Sequence, residues 1–66
     1  MTNHVGEVYR NRKTNELGTI VEVRPVFVEH KKTVEFRLRY QESGTLGIYQ
    51  GPQFYRLFER VEVANG

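Results

Sequence analysis

The sequence predicts an all-β protein, a small antiparallel barrel of five strands with one helical turn before the last strand. Three observations predict it. The hydrophobic period along most of the chain is two, not 3.6. Turn-forming residues punctuate it at short intervals. The one stretch with helical spacing, QFYRLF, is too short for an ordinary helix.

The elements follow in order. HVGEVYR is a short first strand with Val8 inward. RKTNELG is its connection, in which Asn15 and Gly18 supply turn chemistry. GTIVEVRPVFV is rich in β-branched residues and forms the second strand, with Val21 and Val23 alternating with Glu22 and Arg24. Pro25 removes a ladder donor, so a bulge, bend or edge is expected there, with changed parity over residues 26–28. EHKK leads into TVEFRLRYQ, the clearest strand of all. There Val34, Phe36, Leu38 and Tyr40 alternate with Glu35, Arg37, Arg39 and Gln41, the pattern of a half-buried antiparallel strand.

ESGT is a hairpin turn, with Ser43-Gly44 suited to positive φ. LGIYQ is a fourth strand with Leu46 and Ile48 inward, ended by Gly51-Pro52. Phe54, Leu57 and Phe58 then stand at i, i+3, i+4 spacing and present one apolar face that plugs the barrel end. Tyr55 lies off that face and Tyr49 has the opposite parity to Ile48, so both are expected at the surface. FERVEV is the fifth strand, with Val61 and Val63 inward and Arg60 and Glu62 outward. The expected core is Val8, Val21, Val23, Phe36, Leu38, Ile48, Phe54 and Val61. A closed barrel would leave no edge strand open.

The 66 residues make a single domain, 1–66, whose ends at 1–3 and 64–66 are expected to be mobile. A domain of this size buries only about 60% of the surface its unfolded chain exposes. No cysteine is present to staple it, so its stability rests on packing, alone or with self-association. The apolar runs are far too short to span a membrane, and MTNHVGEVYR lacks the zones of a signal peptide. A soluble cytoplasmic protein is expected. The net charge is +2, with six Lys/Arg against four Glu in residues 1–33 and four against four thereafter.

Gly6-Glu7-Val8 and Gly18-Thr19-Ile20-Val21 resemble the openings of the first and second strands in small SH3-like barrels, including KOW and Tudor-type modules. An OB-type barrel usually has more residues and a longer helix between its third and fourth strands, where only ESGT stands here. A second resemblance is to the plasmid-borne type II dihydrofolate reductases, short SH3-like barrels that assemble as tetramers around one pore. Leu46-Gly47-Ile48-Tyr49 is similar to their Val-Gln-Ile-Tyr strand, and Phe58-Glu59-Arg60-Val61 to their Leu-Glu-Arg-Ile ending. Gly47 stands where that family has its key Gln, and glycine cannot make the side-chain hydrogen bonds that site needs. The segment GPQFYRL is also extra. The resemblance supports the fold and not the enzyme.

No catalytic constellation is legible. Ser43 sits in a turn with no histidine nearby in sequence. Gly44, Gly47 and Gly51 are spaced through a hairpin and not through a phosphate loop. The glutamates alternate on exposed faces, and His4 and His30 lie too far apart to suggest a metal cluster. The chain is therefore expected to be no enzyme, without metal, cofactor or small-molecule substrate. It reads as a binding module. The first reading is a protein-binding adaptor or inhibitor using Tyr49, Tyr55, Arg56 and Tyr9, with self-association to a dimer or higher oligomer. Its size suits an accessory protein of a phage or mobile element. The alternative is a nucleic-acid partner, with Arg10, Arg12, Lys13, Lys31, Lys32, Arg37 and Arg39 meeting phosphates while tyrosines stack on bases. The small net charge ranks the protein partner first.

Overall fold

The computed structural model describes residues 4–61. The chain forms β1 (Val8–Asn11), β2 (Leu17–Val28), β3 (Lys31–Tyr40), β4 (Leu46–Gln50), the helix α1 (Gly51–Leu57) and β5 (Phe58–Arg60). All five strands join one antiparallel sheet in the order β4-β3-β2-β1-β5. The first four meander, and β5 returns across α1 to pair with β1. The all-β class and the place of the helix match the expectation. Closure does not: among the described residues no ladder joins β4 to β5, so the sheet is open there. Glu62, Val63 and the two ends expected to be mobile lie outside the described residues.

The long β2–β3 ladder runs from Gly18↔Tyr40 to Val28↔Lys31, with one register shift between Ile20 and Glu22. The bulge therefore falls at Val21 and not at Pro25, which sits in regular register opposite Val34. The ladder's alternation explains why the proline is harmless. Gln41 N–H donates to the Leu17 carbonyl, so the odd-numbered residues of β3 exchange hydrogen bonds with β2. Val34 is even-numbered, and Pro25 opposite it has no donor to lose. The bulge turns Val21 outward and leaves Ile20 fully buried on the inner face.

The parity of β4 is also opposite to the expectation. Phe36↔Tyr49 and Leu38↔Gly47 are cross-strand pairs on the inner face, so Leu46 and Ile48 point out, at 52% and 54% exposure. Gly47 allows this because the Tyr49 ring leans across it: a Cβ there would lie 2.6 Å from the ring. In β1 the inward residue is Tyr9, and Val8, like Val23 and Val61, is only half-buried.

The helix has seven residues, about two turns by ordinary helix geometry instead of the expected one. It starts at the Gly-Pro pair that was expected only to end β4. Proline costs nothing in the first turn, where its N–H would have no helical partner. Gly51 lets that turn sit against β3, since a Cβ would come within 3.2 Å of Val34 Cγ2. The helix ends where Phe58 N–H donates to Phe54 and the extended chain resumes. Its apolar face builds the core. Phe54 stacks on Phe36 at 4.5 Å and on Phe58 at 5.0 Å, and meets Tyr9 edge-on at 4.7 Å. Ile20 and Leu38 complete the buried cluster, with Leu57 packed at its margin.

Positive φ occurs at Gly6, at Asn15 in the β1–β2 turn, and in both of the following hairpins. Gly44 takes it in the β3–β4 hairpin, where Ser43 does not. Glu29 and His30 both take it, at 51° and 67°, between the paired Val28 and Lys31. That is a two-residue turn of the I′ kind, made without the usual Asn-Gly.

Candidate interaction surface

The proposed partner-binding tyrosines divide. Tyr9 is a core residue, 3% exposed, and its hydroxyl donates to Glu7 Oε1 at 3.0 Å. Burial first, then that hydrogen bond, pushes its pKa up to about 12. Glu7 also faces His4 Nδ1 at 2.9 Å and Arg60 at 3.6 Å, and the His4 hydrogen bond leads in holding its pKa low. Tyr49 is half-buried against Phe58, and its hydroxyl lies 2.9 Å from that of Tyr40. Burial and then this contact push Tyr49 up to about 12 as well. Neither ring forms an open platform. Tyr55 does, with half of its surface exposed and its edge against Phe36, and Arg56 beside it is exposed too.

The cationic residues scatter. Arg10 and Arg12 both pair with Glu59, and Arg12 also braces the helix end: its N–H donates to the Leu57 carbonyl at 2.8 Å. That contact satisfies one of the carbonyls a helix terminus leaves open. Arg37 Nε lies 3.1 Å from Glu22 Oε1 and 3.9 Å from Glu35, although neither glutamate is aligned for a hydrogen bond to it. Arg39 bonds the Gly44 carbonyl at 3.3 Å. Among the described residues, Lys13, Arg24, Lys31, Lys32, Arg39 and Arg56 form no ion pair. Lys13 lies on the β1–β2 turn, Lys31 and Lys32 at the far end of the β2–β3 ribbon, and Arg37 and Arg39 on the outer face. The seven candidate phosphate ligands thus do not converge on one patch.

An apolar strip is what the sequence reading missed. Past the core, β2 and β3 continue as a two-stranded ribbon. On its inner face the pair Val23↔Phe36 is followed by Pro25↔Val34 and Phe27↔Lys32. Burial fades along that line. Phe36 is 1% exposed and Phe27 is 75% exposed. Tyr55 flanks the strip's inner end through Phe36. Phe27 has the parity of Val23 once Pro25 leaves the register undisturbed, and this is the signal that could have found it.

Two hollows accompany these features. One of about 310 Å³ lies among Thr14, Asn15, Glu16, Leu17, Gln41 and Glu42, where the β1–β2 turn largely bonds to itself through Asn11 and Thr14. The other, about 190 Å³, lies where the ribbon passes the helix start, lined by Val28, Lys31, Thr33, Gln50 and Pro52 among others. Among the described residues no group of three histidines and carboxylates is placed to hold a metal, and no helix is long and apolar enough to cross a membrane.

Compared with known proteins, the chain matches no family model, no curated protein and no solved structure.

Proposed function

We propose that the chain is a non-enzymatic, protein-binding adaptor or inhibitor on an SH3-like framework. Support for the framework comes from the five-strand order, with the helix before β5 and β5 returning to β1. The observation that carries the binding reading is Phe27. A phenylalanine three-quarters exposed on a ribbon, in line with Pro25, Val34 and Tyr55, is the kind of aromatic anchor that dominates protein interfaces. The partner surface is therefore the ribbon's inner face and the adjoining flank of α1, not Tyr9 or Tyr49.

A nucleic-acid partner is the second reading. Among the described residues Arg24, Lys31 and Lys32 on the same ribbon form no ion pair, and a two-stranded ribbon fits a major groove. It ranks lower because glutamates already occupy Arg10, Arg12 and Arg37.

Capture from a cell lysate, with and without nuclease, separates the two. Specific proteins should survive nuclease and be lost with Phe27→Ser or Tyr55→Ala, while Lys31→Ala with Lys32→Ala changes little. Phe27→Ser should leave stability within about 0.5 kcal/mol of the parent, since the ring is in water. Retained nucleic acid whose binding collapses with modest salt would overturn the proposal.

A further inference from the structure

The open sheet has two edges, and they differ in chemistry. β5 contributes three residues to its edge, of which Glu59 and Arg60 are charged. Short length and charge are the usual guards against edge pairing. β4 has neither guard. Its five residues, Leu46 to Gln50, contain no charge, no proline and no register shift.

The direction of its backbone groups can be worked out. Tyr40 N–H donates to the Thr45 carbonyl at 2.9 Å, which makes that pair hydrogen-bonded. By antiparallel alternation Leu38↔Gly47 and Phe36↔Tyr49 are hydrogen-bonded too. Leu46, Ile48 and Gln50 therefore turn their N–H groups, and Leu46 and Ile48 their carbonyls, away from β3. The same residues carry the outward side chains, with Leu46 and Ile48 more than half exposed.

We propose that β4 is a homodimerisation edge, pairing antiparallel with β4 of a second copy about a two-fold axis at Ile48. The strand is self-complementary in this register. Ile48 meets the second copy's Ile48, and Leu46 meets its Gln50, so no like charges oppose each other. On the inner face each Tyr49 stands opposite the second copy's Gly47, over which that copy's own Tyr49 ring leans. Ile48 exchanges both backbone bonds with the second copy's Ile48, Gln50 N–H donates to the second copy's Leu46 carbonyl, and the Leu46 and Ile48 side chains form one apolar row across the joint. The two sheets become a single continuous sheet with an isologous interface. This interface goes beyond the adaptor reading. It uses the outer face and β4 edge, whereas the adaptor surface lies on the inner face of the ribbon.

The test is sedimentation of the full chain over a concentration series, joined to amide hydrogen exchange. A dimer is expected, with the Ile48 and Gln50 amides slowing at least tenfold as concentration rises. Ile48→Lys, which sets two cations together at the axis, should give a monomer with an unchanged far-UV spectrum. Phe27→Ser should remain dimeric even if partner capture is lost. A parent chain that stays monomeric at high micromolar concentration would overturn the proposal. So would a dimer whose Ile48 and Gln50 amides exchange as fast as in the monomer, or one that Phe27→Ser dissociates.

Discussion

The two ends of the β2–β3 ladder share one pattern and have opposite fates. At the inner end Val23↔Phe36 and Ile20↔Leu38 lie under α1 and β5, and Ile20, Phe36 and Leu38 are at most 1% exposed. At the outer end Pro25↔Val34 and Phe27↔Lys32 continue the same face, but among the described residues no element covers Phe27. Alternation thus names a face and does not say whether anything packs on it. A seven-residue helix can roof only part of a ladder whose strands are twelve and ten residues long. The uncovered remainder is where an apolar residue becomes available to a partner.

The sharpest break of this comparison is Phe36→Ala. It removes the ring on which Phe54 stacks, and should cost about 3–5 kcal/mol through lost burial and a residual cavity. So small a domain has little more than that in hand, so chemical denaturation should find the variant largely unfolded. A cost no larger than that of Phe27→Ser would mean the two ends of the ladder are equally open.

Alkaline pH probes the covered end. Tyr9 and Tyr49 are held neutral in the fold, with pKa values raised to about 12 from an ordinary value near 10. A raised pKa in the folded state means that the unfolded chain releases these protons first. The stabilisation is complete below about pH 10 and is lost as pH rises through about 12. For Tyr9 the loss is on the order of 2 kcal/mol. Denaturation midpoints measured from pH 8 to 12 should fall over that window, and Tyr9→Phe should flatten the fall.

A smaller effect belongs to the ribbon tip. Glu29 and His30 both hold positive φ, which Asn and Gly adopt more readily. Replacing the pair by Asn-Gly should stabilise the protein by about 1 kcal/mol, read as a higher denaturation midpoint. A loss of stability would show that these two side chains contribute more than their backbone strain costs.

The class, the order of the elements and the core role of Phe36, Leu38 and Phe54 were legible in the chain. Period-two alternation and a short i, i+3, i+4 run are local signals, and local sterics enforce them. Three features were not legible. The bulge at Val21 exchanged it for Ile20 in the core, because register is set by the partner strand and not by the strand itself. The inward parity of β4 came from Tyr49 leaning over Gly47 toward Tyr40, two residues that meet only across the ladder. The use of the arginines was decided in the same way, since Glu59 reaches Arg10 and Arg12 only when β5 returns to β1.

The sequence by itself determined where strands, turns and helix lie, because each depends on neighbours a few residues away. Only the tertiary structure decided which face is roofed, which charges are spent on one another and which edge stays open. Those outcomes depend on groups far apart in the chain, and on how much of a long ladder one short helix can cover.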